Sequence, residues 1–540
     1  MTLTGCLYSV ESPYVHSLLT NKLTEYCDGC LKTSSSLFSC SSCKMMRYCN
    51  RTCQRRMWNA HKLECKQYVK CGRLPIAHVR LILRIMSVQN ELNDNISSLV
   101  SHEKEILADI NLMEMYHTFR MTLFEFSEGK LPLSEEAIFQ LFCRIKINSF
   151  MITDTDGADV GLALYLRAAR LDHSCIPDLQ YIFCDQKIVM CRYSTSSISI
   201  EPRINYYDCM TTTEERQTNL MKNYYFKCDC SLCLDTDREK RITSLKCCSP
   251  ECLSEPIPFE KLPSSVKVKD GSEDSLVRPV IVRYCPECLE IYDNEVISQV
   301  ASCLYGKTKV CPDVDTALDA IIMYARCCQI NKSLQNIQLT SVQDKECHHR
   351  YYKLFGHQDS LYLARCCSRV QCITTMSMDL TLNSLNKRNH HYRNERKLAM
   401  SKDTFVNVII ACSLTEFYWR LTWLPSDCLQ LGQLVYSVAS FLLCHIDDVN
   451  EFHNCRRMDE IKSFLLCNYD NNKENMFSKM NCLGHVLCKF SKIACDVLSP
   501  FAEYRSDWQQ GFSILEHYKA QDILTDRDSD DVIDNRLQLT

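Results

Sequence analysis

Apolar residues recur at helical spacing through the second half of this 540-residue chain, from about residue 312 onward. The clearest stretches are 404–424, 428–445 and 480–498, and each is predicted as a helix. Residues 76–125 are also predicted to be mostly helical. Two short runs read differently: Ile188-Val189-Met190-Cys191 and Ser197-Ile198-Ser199-Ile200 have the look of strands.

Composition adds limits to that pattern. The length exceeds what one core supports, so three or four domains are expected. Only 12 glycines and 14 prolines occur, which favours helices over long disordered linkers. A formal net charge of -4 does not describe a chain that binds nucleic acid as a whole. No apolar run approaches bilayer length, and the first thirty residues lack a basic-then-apolar signal pattern. A soluble intracellular protein with no membrane partner is the expectation. In a reducing compartment its 38 cysteines do not pair as disulfides. Many, such as Cys327, Cys328, Cys366 and Cys367, then read as small buried hydrophobes. The informative ones cluster.

The first cluster runs Cys27-x2-Cys30, Cys40-x2-Cys43, Cys49-x3-Cys53 and His61-x3-Cys65. Two thiolates two residues apart bite one metal from a single turn. The i, i+4 pairs place two ligands on one helix face. Eight ligands suit two tetrahedral zinc ions with no open position, which makes the sites structural and metal a condition of folding. Chance spacing in a cysteine-rich chain is the competing reading. Residues 27–65 also hold seven Lys or Arg against Asp28 and Glu64. Seven thiolates and two zinc ions lower the segment's net charge from five to two, so a charge-balanced finger outranks direct DNA binding.

A second cluster, Cys228-x-Cys230-x2-Cys233, is one ligand short of a closed site, and Cys175 upstream is the candidate fourth. Further on, Cys247-Cys248-x3-Cys252 and Cys285-x2-Cys288 read either as an additional zinc ribbon or as ordinary exposed cysteines. The segment 264–275 between them reads as polar and mobile. His348-His349 and His390-His391 lack spaced partners and read as surface loops.

With Arg47-Tyr48-Cys49, Gln54 and Trp58-x2-His61, the first cluster resembles the MYND finger. That resemblance implies interleaved ligands. Cys27, Cys30, Cys49 and Cys53 would hold one zinc, and Cys40, Cys43, His61 and Cys65 the other. Asp172-His173-Ser174-Cys175-x-Pro177 resembles the Asn-His-Ser-Cys-x-Pro motif of SET-domain lysine methyltransferases. The later C-x-C-x2-C run resembles their post-SET zinc site. A finger ahead of these motifs, with helices between, is similar to the SET-and-MYND (SMYD) family over residues 5 to about 235.

The resemblance implies a multidomain α+β chain: a β-rich SET core, split by a MYND zinc finger and a helical insert, then an all-α TPR-like domain. The implied boundaries are a truncated opening SET segment 1–26, finger 27–65, helical insert 66–145, core SET 146–210 and post-SET site 211–240. A cysteine-containing insert 241–311 and a helical domain 312–540 follow. Leu431-Gly432-x2-Val435 and Leu483-Gly484-x2-Leu487 faintly echo tetratricopeptide helix starts.

It also implies transfer of a methyl group from S-adenosylmethionine to a lysine of a histone or another protein. Tyr206 would be catalytic, and Asn148, Asp172, His173, Tyr224 and Phe226 would contact the cofactor, with Phe226 on the adenine. Proline-containing peptides on the finger, transcriptional regulation, and a nuclear and cytoplasmic location are implied too. Three departures define a rival reading, a catalytically impaired zinc-binding interaction protein. Gly5 is the sole glycine among the 26 residues before Cys27, so the family's Gly-rich turn is expected to be missing. Asp172 replaces an asparagine, so an acceptor stands where an amide also donates. Glu201-Pro202-Arg203-Ile204 replaces an acidic stretch and loses a backbone donor.

Overall fold

The computed structural model describes residues 7–88, 94–127, 129, 133–154, 157–193, 200–208, 210–245, 247, 252, 254–267, 280–291, 359–371, 402–445 and 483–525. They combine helix and strand and divide into two compact units. The first comprises residues 1–207, 217–228 and 500–505. The second comprises 208–216, 229–499 and 506–540.

In the first unit, strands β1 (Leu7–Glu11) and β2 (Val15–Leu18) precede the finger, which contributes β3 (Phe38–Ser39), β4 (Arg47–Tyr48) and helix α1 (Arg51–Cys71). The Asn50 side chain accepts from the Cys53 amide to start α1, and Gly72 in the left-handed region stops it. Helices α2 (Ala77–Val88), α3 (Asp94–Ser97), α4 (Glu103–Ala108), α5 (Ile110–Glu125) and α6 (Glu135–Asn148) follow. They fill the span expected to be helical. Asp109 and Ser134 cap α5 and α6 through their side-chain oxygens. The buried side of α2 carries Val79, Leu81, Ile82, Leu83 and Ile85, but also Arg80 and Arg84.

Strands β5 (Ser149–Thr153), β6 (Asp159–Leu164), β7 (Leu179–Cys184) and β8 (Lys187–Arg192) complete two small antiparallel sheets, ordered β1-β8-β7 and β2-β6-β5. The expected strand at 188–191 lies within β8, while 194–199 fall outside the described residues. Gly161 faces Leu18 across β2 and β6, and a Cβ there would stand 2.6 Å from the Ser17 carbonyl oxygen. Only glycine permits that approach. Beyond the sheets, segments 172–174 and 204–206 run parallel. The Ile204 amide donates to the Asp172 carbonyl at 2.9 Å, and the Ser174 amide to the Ile204 carbonyl at 3.0 Å.

The second unit holds helices Leu361–Gln371, Lys402–Trp423, Leu429–His445 and Ser506–Thr525, with most of Leu483–Ala502. Three of these match the stretches read from apolar spacing. Cys366 and Cys367 are buried as expected, while Cys327, Cys328 and both histidine pairs lie outside the described residues. Gly432 lets its helix approach another closely, since a Cβ there would meet Val497 Cγ1 at 2.7 Å. Arg365 is fully buried and donates to Glu215 Oε2 at 2.5 Å and to the Met210 carbonyl at 3.2 Å.

Two small ribbons pair β9 (Ser244–Leu245) with β10 (Ile257–Pro258), and β11 (Ser264–Lys267) with β12 (Val280–Arg283). The second ribbon corrects the reading of 264–275 as mobile for residues 264–267, while 268–275 lie outside the described residues. Ser264–Lys267 is a strand because its backbone pairs in register with the β-branched run Val280-Ile281-Val282. Among the described residues no helix is long and apolar enough to cross a membrane.

Candidate metal centres and active site

The finger begins with two tight cysteine turns. Leu31 and Lys44, each directly after a C-x2-C pair, adopt φ of 61° and 60°. Their amides close back on the Cys27 and Cys40 carbonyls at 2.8 and 2.9 Å. Left-handed backbone is unusual at such residues. Here it turns the chain so that both sulfur atoms of a pair face one point. The remaining ligands come from β4 and from α1, whose helical rise aligns Cys53, His61 and Cys65.

The eight ligand atoms fall into two sets. Those of Cys27, Cys30, Cys49 and Cys53 lie within 4.8 Å of one another, as do those of Cys40, Cys43, His61 and Cys65. Sulfur separations of 3.7 Å for Cys30–Cys49, 3.5 Å for Cys49–Cys53 and 3.7 Å for Cys40–Cys65 fit tetrahedral zinc. Zn–S bonds of about 2.3 Å give edges of about 3.8 Å. Gly29 packs its backbone on Cys53, where a Cβ would lie 2.8 Å from Cys53 Cβ.

Behind the second set lies a buried charge network that sequence reasoning missed. Glu64 Oε1 stands 2.7 Å from His61 Nδ1, which fixes the ring hydrogen there and leaves Nε2 to face Cys43 Sγ at 3.5 Å. Arg84, fully buried on α2, donates to Glu64 Oε1 at 2.8 Å, Asp28 Oδ2 at 2.7 Å and the His16 carbonyl at 2.7 Å. Tyr68 donates to Glu64 Oε2 at 2.7 Å. Burial alone would raise the Glu64 carboxyl, yet Arg84 and then His61 hold it at about 2. Both acids of the finger are thus spent internally on one arginine.

Cys175, Cys228, Cys230 and Cys233 form a third set with sulfur atoms mutually within 4.8 Å. Cys175 Sγ lies 3.9 Å from Cys228 Sγ and 3.3 Å from His173 Nε2. The Tyr206 amide donates to His173 Nδ1 at 3.0 Å, which places the ring hydrogen on Nε2, toward that sulfur. His173 therefore ties the cysteine pair to the Tyr206 backbone.

Around that tie the rings gather. Tyr206 stands 4.7 Å from Tyr224, 5.2 Å from His173 and 6.4 Å from Phe226, centroid to centroid. His173 is 5.8 Å from Phe226. Tyr224 and Phe226 flank Tyr225, whose φ of 60° ends helix α7 (Thr213–Tyr224) with its amide on the Met221 carbonyl at 3.1 Å. That left-handed residue was not expected from sequence.

The Tyr206 hydroxyl donates to the Leu171 carbonyl at 2.5 Å. Burial first, then the Asp172 carboxylate, push its pKa far above the ordinary phenol range, so it stays protonated. Asn148, buried at the end of α6, donates its side-chain nitrogen to the Val100 and Arg144 carbonyls, both at 2.7 Å. The arrangement is a half-buried aromatic cluster of Tyr206, Tyr224, Phe226 and His173, braced by a thiol cluster.

Residues 27–65 match the MYND finger family. Over 250 residues the chain is 30% identical to histone-lysine N-methyltransferase SMYD3 of Homo sapiens, covering 44% of this chain and 58% of that protein. It is 27% identical over 252 residues to SET domain-containing protein 14 of Caenorhabditis elegans, covering 44% and 57%. Over 313 residues it is 27% identical to histone-lysine N-methyltransferase Smyd1 of Mus musculus, covering 52% and 62%. The chain spans less than two thirds of the length of each of these relatives.

Proposed function

The chain is a divergent member of the SET-and-MYND family, and on that premise we propose that it is a zinc-binding protein-lysine methyltransferase that uses S-adenosylmethionine. The observation that carries the reading is the convergence of Tyr206, Tyr224, Phe226 and His173 in one half-buried ring cluster. In this proposal β1, β2 and β5–β8 belong to the SET core. Zinc would occupy the two finger sets and the Cys175 set, and the later helices would form the TPR-like domain.

The residues present fit the cofactor. Asn148 commits its side-chain nitrogen to main-chain carbonyls, so its oxygen is the atom it offers. Asp172 likewise offers only acceptors at neutral pH, and two acceptors suit a cationic ammonium group. The aromatic faces suit an adenine ring and a positive sulfonium. When bound, S-adenosylmethionine supplies an activated methyl group. Tyr206, with its hydrogen spent on Leu171, presents oxygen lone pairs that orient a lysine amine. Loss of water on entering the half-buried site disfavours a charged ammonium and so helps keep that amine neutral. His173 acts at one remove, holding the Tyr206 backbone against Cys175.

The finger exposes Phe38 (63%) and Trp58 (47%), apolar rings that support docking of proline-containing peptides there. Titration of the zinc-loaded full chain with S-adenosylmethionine by calorimetry tests the reading. Saturable one-to-one heat is expected. Absence of binding contradicts it.

A further inference from the structure

A fourth set of cysteines lies in the second unit, outside everything the proposed activity uses. Cys247, Cys252, Cys285 and Cys288 bring their sulfur atoms within 4.8 Å of one another. We infer that these four residues form an additional closed zinc site that holds the small ribbons of residues 244–291 together.

Proximity alone would be thin support, but the local backbone adds a second observation. Tyr284-Cys285-Pro286-Glu287-Cys288-Leu289 repeats the turn made by Tyr26-Cys27-Asp28-Gly29-Cys30-Leu31 in the finger. Leu289 has a φ of 62°, against 61° at Leu31. The Leu289 amide closes on the Cys285 carbonyl at 2.9 Å, as Leu31 closes on Cys27 at 2.8 Å. The Cys285 amide donates to the Glu290 carbonyl at 2.9 Å, and the Cys27 amide to Lys32 at 2.9 Å. Each turn is clasped by an antiparallel bridge, Tyr284 with Ile291 and Tyr26 with Thr33. In the finger the Gly29 amide also donates to Cys27 Sγ at 3.4 Å.

Left-handed backbone at a leucine costs of order 1 kcal/mol and persists only where the surroundings demand it. A turn that aims two sulfur atoms at one point makes that demand when the point holds a cation bound by thiolates. The opposing pair completes the tetrahedron. Cys247 Sγ lies 3.5 Å from Cys288 Sγ, and Cys252 Sγ lies 3.8 Å from Cys285 Sγ. Both separations are close to the edge of about 3.8 Å expected for tetrahedral zinc thiolate, and far above the roughly 2.05 Å of a disulfide. Four thiolates with no open position select a structural ion. On binding, the four thiol protons leave to solvent and four Zn–S bonds form.

The region needs such a clamp. Among the described residues its buried apolar side chains are chiefly Leu245, Phe259, Leu262 and Val282, and each ribbon has two strands. Two-stranded ribbons are marginal without further support.

Two measurements on the full chain, kept reduced, test the inference. Zinc content by atomic emission should fall by one ion per chain in the Cys252→Ser/Cys288→Ser double variant, and stay unchanged in Cys71→Ser. The second measurement needs no variant. Cys288 and Cys444 are both exposed. Under native alkylation of the zinc-loaded protein, Cys288 should resist modification while Cys444 reacts, and a chelator should abolish the difference. Equal alkylation of the two, an unchanged zinc content in the double variant, iron in place of zinc, or a disulfide among the four cysteines would each overturn the inference.

Discussion

Glu64 Oε1 lies 2.7 Å from His61 Nδ1 and 2.8 Å from Arg84 Nη2, so one carboxylate orients a candidate zinc ligand and neutralises a buried arginine. The pairing joins the finger to α2. It makes zinc affinity depend on a residue that contacts no metal. Replacing Glu64 with Gln keeps the size and removes the charge. Loss of such a partner typically weakens metal binding about 10- to 100-fold. Chelator competition on the purified chain should show a drop of that order for the zinc held by Cys40, Cys43, His61 and Cys65. An unchanged affinity would mean that Glu64 serves only Arg84.

Arg84→Leu should destabilise the first unit by about 3–5 kcal/mol, because Asp28 and Glu64 would be left buried without a counter-charge. The pH dependence follows from the sign of the shift. In the native chain Glu64 is held at about 2, below its ordinary 4.5. Its carboxylate therefore adds stability above about pH 4.5 that is lost as pH falls toward 2. Without Arg84, burial raises the carboxyl instead, and acidification from neutrality relieves part of the penalty. Thermal unfolding across pH, at fixed free zinc, should show the gap between variant and wild type narrowing on the acid side.

Gly161→Ala probes the contact between β2 and β6. The added methyl would meet the Ser17 carbonyl oxygen at 2.6 Å, and main-chain atoms on both sides leave little room to move. Overpacking of this kind costs about 1–3 kcal/mol. Denaturant unfolding should report a loss in that range, while Gly72→Ala, where the added methyl would meet nothing within 4 Å, strains only its own left-handed turn.

The finger ligands were readable because metal geometry writes itself into spacing: a turn sets C-x2-C, and a helix sets the i, i+4 pairs. The apolar rhythm of residues 404–424, 428–445 and 480–498 was equally local. What escaped were partners brought together from afar. Arg84 lies 20 residues beyond Glu64 on a helix face that is apolar apart from it and Arg80, and no local pattern marks a buried arginine as the counter-ion of two acids. The left-handed Tyr225 and Leu289 carry no glycine or asparagine to signal them. Ser264–Lys267 looked like loop because its polar side chains conceal a backbone that pairs with a β-branched strand.

Methyl transfer itself is the most direct test of the whole reading. Zinc-loaded full chain, labelled S-adenosylmethionine and a histone mixture should yield methylated lysine, detected by mass spectrometry. Tyr206→Phe removes the oxygen proposed to orient the amine, and with it one hydrogen bond to Leu171 worth only about 0.5–1.5 kcal/mol of stability. The variant should stay folded, keep its zinc and cofactor binding, and lose transfer by a factor of about 100 or more. Equal transfer by wild type and variant would contradict the assignment of Tyr206, and cofactor binding with no transfer to any protein lysine would contradict the proposed activity.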